Sequence, residues 1–169
     1  MLIRRRDMLK EVGVALAGFA PYAYAANRVL IPNERKTAMT SRPLMTVNIA
    51  AAPPQKLGTV PHGIRSIVPV TGGDFEGPRL RGKVLPGGND WLLLRPDGVL
   101  ELDLRITLET DDHALIYMTF QGLRHDSYFR TLPRFETSTE AYAFLNRIVT
   151  VGVGEARPDG AVHRIEEIL

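Results

Sequence analysis

The hydrophobic pattern of this chain is most regular between residues 100 and 109, where apolar and polar side chains alternate without a break. Successive side chains of a β-strand point to opposite faces, so this segment is predicted to be a strand with one apolar and one polar face. The apolar face carries four leucines and an isoleucine. The other face carries Glu101, Asp103, Arg105, Thr107 and Glu109.

Shorter runs of the same kind occupy most of the chain after residue 43. Two Arg-Pro-Asp-Gly sequences, at 95–98 and 157–160, predict hairpin turns, because proline presets φ and glycine accepts a left-handed backbone. Segments 50–61, with three prolines, and 71–74, Thr-Gly-Gly-Asp, are predicted to be a loop and a turn. Further strands are predicted at 44–49, 64–70, 75–84, 91–94, 114–121, 127–135, 145–154 and 161–169.

Helix is scarce in this pattern. The sequence Thr-Ser-Thr-Glu at 137–140 is a capping box and predicts one short helical turn that reaches Tyr142. Segment 114–121 is apolar at both parities, which predicts a strand buried on both faces. Eight or nine strands with so little helix must close into a barrel or pack as a sandwich. We expect an all-β antiparallel barrel, because closure also removes exposed edge strands.

The first residues have the organisation of an export signal. Arg4–Arg6 precede a short, weakly apolar segment at 12–20 and then Ala23-Tyr24-Ala25, a small-x-small cleavage pattern. The apolar segment is too short to span a bilayer, and the alternative to a signal is an amphipathic helix. The predicted organisation is a signal peptide over 1–25, a linker over 26–42 and a single domain over 43–169.

The motif RRDMLK at residues 5–10 resembles the twin-arginine export signal, which has paired arginines, an apolar pair and often lysine. The resemblance implies export of an already folded protein, so the expected location is the periplasm or the medium. The lack of cysteine is compatible with this route, because no disulfide has to form.

Charge and composition narrow the classes of function. The chain has 21 basic and 19 acidic side chains, of which the predicted signal peptide carries four and two, so the remainder has 17 of each sign. A neutral domain is not expected to bind nucleic acid. Asp111-Asp112-His113 predicts a turn. No metal site or other cofactor is predicted, because cysteine is absent and there is no ligand spacing among His62, His125 and His163.

Several longer motifs resemble a known family. They are PHGIRSIVPVTGGDFEGPRLRGKVLPGGNDW from residue 61, RPDGVLELDLRITLETDD from 95, LIYMTFQG from 115, YFRTLPRFET from 128 and LNR from 145. Over residues 44–169 the chain resembles the domain of unknown function 3237 family of small bacterial proteins. The resemblance implies an antiparallel β-barrel similar to the calycins, the lipocalin-like ligand binders. It implies no particular reaction.

The chain departs from the family pattern in two places. An insertion that the family usually carries between Arg124-His125 and Tyr128-Phe129 is missing, and His113 stands where glycine is usual. We expect the missing insertion to leave the mouth of the barrel less covered.

The polar face of segment 100–109 has two interpretations. In one, the leucines fill the barrel and the charges face solvent. In the other, the charges face a lumen in which Arg105 neutralises the carboxylates, because buried charges must be paired. For Arg130, an ion pair with Glu136 or Asp103 is the alternative to ligand binding. The candidate ligand-binding residues are Trp91, Glu101, Asp103, Arg105, Tyr117, Arg130 and Glu136.

These observations lead to one hypothesis and two alternatives. The first is an exported barrel that binds a small organic molecule in its lumen. The second is an acid–base enzyme that isomerises or hydrates a small carbonyl compound in the same lumen, with carboxylates, arginine and Tyr117. The third is a structural or interaction protein with a packed barrel. No stable membrane span is expected, and the pattern leaves the oligomeric state open.

Overall fold

The computed structural model describes residues 38–169, which form ten antiparallel strands and one 3₁₀ helix, Glu140–Arg147. The predicted signal peptide lies outside the described residues. Within residues 38–169 no helix is long and apolar enough to cross a membrane. The strands are β1 (Ser41–Ala51), β2 (Gln55–Val60), β3 (Gly63–Glu76), β4 (Arg81–Val84), β5 (Asn89–Leu94), β6 (Leu100–Thr110), β7 (Leu115–His125), β8 (Tyr128–Glu136), β9 (Thr150–Arg157) and β10 (Gly160–Ile168).

The ten strands complete an eight-stranded barrel because two positions in it are each shared by two strands. β1 and β2 follow one another along one side of β3, and β4 and β5 do the same between β3 and β6. From β6 to β10 each strand pairs with the next, and β10 pairs with β1. The predicted all-β antiparallel barrel is confirmed.

β3 is a single strand of 14 residues that runs through the predicted turn at 71–74. Gly72 and Gly73 have φ angles of 150° and 138°, a region that favours glycine. A Cβ atom on Gly73 would lie 2.0 Å from the carbonyl oxygen of Asn48 in β1. The predicted turn is wrong because these glycines bend a strand and admit its neighbour closely.

Two other boundaries differ from the prediction. The predicted loop 50–61 contains β2, because Pro53 and Pro54 interrupt pairing only briefly and Gln55 is already paired with β3. The predicted strand 75–84 is divided between β3 and β4 by a turn that a 2.9 Å hydrogen bond from Gly77 N to Leu80 O closes. Proline and glycine thus mark interruptions in the ladder here, not the ends of whole segments.

β7 is buried on one face only. Ile116, Met118 and Phe120 point into the barrel and are at most 2% exposed, whereas Leu115 and Tyr117 on the outer face are 55% and 39% exposed. The predicted burial of both faces is therefore wrong. Within the described residues the outside of this strand has no second sheet to cover it, so its outer apolar side chains remain in contact with solvent.

The 3₁₀ helix packs against one end of the barrel, where Leu145 is 1% exposed. It is longer than the predicted turn, and the predicted capping box is absent. The hydroxyl of Thr137 donates to the Leu115 carbonyl at 2.8 Å, and Thr139, which precedes the helix, makes no side-chain cap. We call this end, with the β3–β4 and β6–β7 turns, the closed end. The opposite end, with the β5–β6, β7–β8 and β9–β10 turns, is the open end.

Candidate functional site

The charges of β6 face the outside of the barrel. Leu102, Leu104 and the following alternate residues of the strand are 6% exposed or less, while Arg105 lies at the surface. The interpretation in which Glu101, Asp103 and Arg105 line the lumen is therefore wrong, and the interpretation with a solvated charged exterior is correct. Burying apolar side chains avoids the desolvation penalty that three ionised groups would bring to a closed lumen.

Four of the candidate residues nevertheless meet, in a groove of about 760 Å³ on the outer wall. Arg105 stands beside them, because its guanidinium lies 3.1 Å from the Asp103 carboxylate and 4.9 Å from the centre of the Trp91 ring. The groove is open to solvent, and the ion pair at its edge is exposed. The four residues are Trp91, Glu101, Asp103 and Arg130.

The remaining two candidates lie elsewhere. Tyr117 and Glu136 are opposite one another on β7 and β8 and border a separate surface depression. Arg130 forms no ion pair with Glu136 or Asp103 within the described residues. Its guanidinium donates to the Phe129 carbonyl at 3.0 Å and lies 5.0 Å from the centre of the Tyr128 ring. The predicted set is thus not one site.

The barrel interior holds a different set of polar groups, in a cavity of about 150 Å³ near the open end. We call it the open-end cavity. Its walls are mainly apolar and come from all eight barrel positions, including Val70, Leu92, Leu102, Leu104, Phe120 and Phe129. The charged or titratable side chains on its lining are Asp90, Arg124 and His163.

Asp90 and His163 lie at the inner end of this cavity. Asp90 is opposite Leu104 in the β5–β6 pairing, and Leu104 is opposite Phe120 in the β6–β7 pairing. The Phe120 ring is 4.7 Å from the His163 ring, measured between centroids. The barrel therefore brings β5 and β10 side chains, more than 70 residues apart in sequence, into the wall of one cavity.

Asp90 is held in the barrel wall by a backbone contact. Its carboxylate accepts a 3.0 Å hydrogen bond from the Asp103 amide, beside an interruption in the β5–β6 ladder between Asp90 and Leu93. Burial raises the pKa of the Asp90 carboxyl to about 7, and this outweighs the hydrogen bond, which favours the charged form. Both protonation states of Asp90 are accessible near neutral pH.

His163 is 1% exposed and lies between aromatic rings. The Phe129 ring meets it edge-on with centroids 5.0 Å apart, on the side where Gly154 leaves room for that ring. Burial lowers the pKa of His163 to about 4, so the imidazole is neutral at pH 7. Its Nδ1 atom is buried and has no hydrogen-bond partner among residues 38–169.

Arg124 lies at the rim of the cavity. It is opposite Leu100, four residues nearer the strand end than Phe120, and its side chain is exposed. The adjoining β7–β8 turn has only two residues, and its first, Asp126, has a left-handed φ of 47°. This short turn stands where the family insertion is missing, and it leaves the rim uncovered on that side.

Sequence reasoning missed all three residues of the cavity, although two of them had a usable signal. Every second residue of β7 points inward, and continuing this alternation from Phe120 includes Arg124. The alternation of β10 likewise places His163 on the same face as Ile165. Asp90 had no such signal. It follows Pro-Gly-Gly-Asn, a sequence typical of turns, and only the pairing with β6 shows that it faces inward.

Comparison with other proteins supports this architecture. The family model described as a protein of unknown function, DUF3237, matches residues 39–127 and 124–168, and the break falls at the short β7–β8 turn. A UPF0311 protein of Rhodopseudomonas palustris is 32% identical over 130 residues, which are 66% of this chain and 85% of that protein.

A solved structure and an enzyme are also similar to this chain. A β-barrel-like protein of Acinetobacter baumannii superimposes with a TM-score of 0.75 at 33% identity and covers 82% of this chain and 98% of its own. A hydroalkoxylation enzyme of Penicillium herquei is 29% identical over 123 residues, or 69% of this chain and 79% of the enzyme. With residues 39–168 matched by its model, this chain belongs to the DUF3237 family.

Proposed function

We propose that this protein binds a small organic molecule in the open-end cavity and that Asp90 exchanges a proton with it. The cavity supports this proposal because it is concave, mainly apolar and provided with few polar groups, as ligand sites usually are. Its volume of about 150 Å³ accepts one six-carbon ring, and larger substituents extend through the open mouth. The packed-barrel alternative leaves this space unexplained.

The observation that carries the proposal is the Asp90 carboxyl on an apolar cavity wall. A general acid or base works best when its pKa is near the working pH, and burial brings the pKa of Asp90 to about 7. The Asp103 amide, at 3.0 Å, fixes one carboxylate oxygen. The other oxygen is left to meet a bound molecule.

The reaction class we propose is proton transfer at carbon, as in isomerisation, hydration or addition of an alcohol to a double bond. The similarity to a hydroalkoxylation enzyme supports this class. In such an addition an O–H proton leaves and a proton is added to carbon. A protonated Asp90 gives its proton to the carbon, and the resulting carboxylate accepts the proton of the attacking hydroxyl, so the enzyme is regenerated.

Hydrogen exchange with solvent tests the proposal without a known substrate. Small enolisable ketones (cyclohexanone and phenylacetone) are incubated with the protein in D₂O, and loss of the α-proton signal is followed by ¹H NMR. Asp90→Asn keeps an oxygen that accepts from the Asp103 amide but cannot shuttle a proton. We expect this variant to slow exchange by about 100-fold or more.

Asp126→Asn is the matched control, because that carboxyl is 97% exposed on a turn. It is expected to exchange at the wild-type rate. Equal rates for wild type and Asp90→Asn would refute the role of Asp90. Saturation-transfer NMR on the same samples reports binding, and a complete lack of binding by ketones, phenols and aromatic acids would refute the cavity as a ligand site.

We also propose export to the periplasm by the twin-arginine route, on the support of Arg5 and Arg6 in RRDMLK and of the weakly apolar segment after them. Alanine at both arginines is expected to keep the protein in the cytoplasm. Immunoblots of periplasmic fractions measure this, and normal periplasmic accumulation of the double variant would contradict the proposal.

A further inference from the structure

We propose that the ligand of the open-end cavity is an organic monocarboxylate that enters with its apolar end first and leaves its carboxylate at Arg124. The inference rests on the proposed function, because it concerns the same cavity. It adds the chemical class of the ligand and the direction in which it lies. Three features of the cavity carry it: the charge at the rim, the neutrality of the inner end, and the distance between them.

The rim presents a cation without an anion. Arg124 lines the cavity, and no carboxylate of residues 38–169 lies within 4.0 Å of its guanidinium. Arg95, on the β5–β6 turn of the same end, differs because Asp97 and Glu101 both pair with it, at 2.5 and 3.4 Å. An arginine fork binds a carboxylate through two parallel hydrogen bonds. Arg124, the arginine that borders the cavity, is thus free to bind the carboxylate of a ligand.

The orientation of the Arg124 side chain fits this role. Its guanidinium carbon lies 5.7 Å from the centre of the Phe129 ring, which is itself part of the cavity wall. The contact places the positive charge over the mouth, next to the apolar wall that the body of a ligand would cover. A ligand anion at this position remains partly hydrated, so it does not bear the full cost of burying a charge.

The inner end of the cavity is suited to a neutral polar atom. His163 is uncharged at pH 7, and a carboxylate there would face Asp90 with no cation at that end, among residues 38–169, to neutralise it. Nδ1 of His163 is buried without a partner in the described part of the chain, which is unfavourable for a polar atom. A hydroxyl or carbonyl group of the ligand satisfies it. The ligand therefore carries its charge at the rim and a neutral oxygen at the inner end.

The spacing of the two ends sets the length of the ligand. Phe120, at the level of His163, and Arg124 are four residues apart on β7, which is about 13 Å along a strand. The Arg124 side chain spans part of this distance. The Phe129 ring adjoins both groups, with its centre 5.0 Å from the His163 ring and 5.7 Å from the Arg124 guanidinium carbon, so one aromatic ring with a hydroxyl on one side and a carboxylate group on the opposite side bridges them. Hydroxyaryl and oxo-aryl carboxylates are the class that these features select.

Calorimetric titration with three matched compounds tests the inference. They are para-hydroxyphenylpropanoate, its primary amide, and phenylpropanoate. The wild-type protein is expected to prefer the acid to the amide by about ten-fold or more, since the amide cannot make the charged contact. Arg124→Gln is expected to remove that preference. Arg157→Gln is the control, because Arg157 is an exposed arginine of the same end that does not line the cavity.

The hydroxyl is tested in the same way. Wild type is expected to bind para-hydroxyphenylpropanoate several-fold more tightly than phenylpropanoate, and His163→Leu is expected to bind the two equally. Thermal melts accompany each variant, so that loss of binding is compared only among folded proteins. A hydroxyl preference that survives in His163→Leu would overturn the assignment of His163.

The outcomes separate this inference from the proposed function. If the amide binds wild type as tightly as the acid, or if Arg124→Gln keeps the preference for the acid, the carboxylate class is overturned while the cavity remains a ligand site. If neutral phenols and ketones bind but none of the acids does, the carboxylate class is likewise overturned and the cavity remains a ligand site. If none of these compounds binds, both proposals fall together.

Discussion

The closed and open ends of the barrel are built from the same strands, yet their interiors are filled by side chains of different size and polarity. At the closed end the inward positions carry large apolar residues that are at most 1% exposed, including Phe75, Leu108 and Leu145. At the open end several inward positions carry alanine, at Ala51, Ala156 and Ala161, and the space they leave is the open-end cavity.

The acidic side chains of the two ends also differ in how they are paired. At the closed end the Glu167 carboxylate is 2.8 Å from Arg42 and 2.9 Å from Arg79, which hold the pKa of Glu167 below its usual range. At the open end Asp90 faces the cavity with burial as the main influence on its pKa. The closed end thus pairs the Glu167 carboxylate with two arginines, whereas at the open end Asp90 and His163 face a cavity. Core and site occupy one barrel because they are separated along the strands.

Two leucines on β6, one at each end, allow the difference in packing between the ends to be measured directly. Leu108 is 0% exposed at the closed end, and Leu102 is 6% exposed on the cavity wall. Leu108→Ala is expected to lower the free energy of unfolding by about 4 kcal/mol, because a closely packed site cannot collapse. Leu102→Ala is expected to cost about 2 kcal/mol, because it borders space that is already empty.

Urea unfolding followed by circular dichroism measures both losses. An equal loss at the two positions would contradict the difference in packing between the ends. Leu102→Ala also enlarges the cavity, so it is expected to bind bulkier aromatic acids than wild type does, whereas Leu108→Ala is not.

The pH dependence of stability sharpens the contrast at the open end. The pKa of Asp90 rises from 3.8 unfolded to about 7 folded, so folding takes up a proton and stability falls as pH rises through this window. The pKa of His163 falls from 6.5 unfolded to about 4 folded, so stability falls as pH drops from 6.5 towards 4. Between pH 4 and 6.5 the two effects oppose each other.

Single variants separate these opposing effects. Asp90→Asn removes the effect of Asp90 and leaves that of His163. The free energy of unfolding of this variant is therefore expected to rise by about 3 kcal/mol from pH 4 to pH 6.5, relative to the change in wild type over the same range. His163→Gln leaves the Asp90 effect, and its stability is expected to fall by a similar amount over the same range. Urea unfolding across this range provides the measurement. Parallel profiles for the two variants would show that neither group is buried as described.

The smallest effect is expected on the outer wall. Arg105→Ala removes an exposed ion pair with Asp103 and a contact with the Trp91 ring, which together contribute about 1 kcal/mol or less. Binding of para-hydroxyphenylpropanoate is expected to be unchanged, because Arg105 faces away from the cavity. A loss of affinity as large as that of Arg124→Gln would place the ligand in the outer groove instead.

The contrast between the two faces of β6 shows how far the sequence could be interpreted. Alternation over residues 100–109 correctly predicts a strand, because it depends only on the local geometry of an extended chain. The direction of each face does not follow from alternation. A charged face in a barrel can line a polar lumen or meet solvent, and only the closed structure, with Leu104 2% exposed, shows which applies.

Gly72, Gly73 and Asp90 show why other predictions failed. Each lies in a sequence typical of turns, and each is in or at the start of a strand. Turn propensity is a local quantity, whereas a glycine that admits a neighbouring strand or an aspartate that bonds to the Asp103 amide serves a contact with distant residues. Such contacts leave no periodic trace in the sequence.

The sequence by itself determined the strands that alternate regularly, the two Arg-Pro-Asp-Gly hairpins and the choice of an all-β barrel, because backbone geometry and the need to bury one face are local constraints. The tertiary structure alone decided which polar residues share a cavity. Asp90, Arg124 and His163 come from β5, β7 and β10, and they line one cavity because closing the barrel fixes the register of strands that are far apart in the chain.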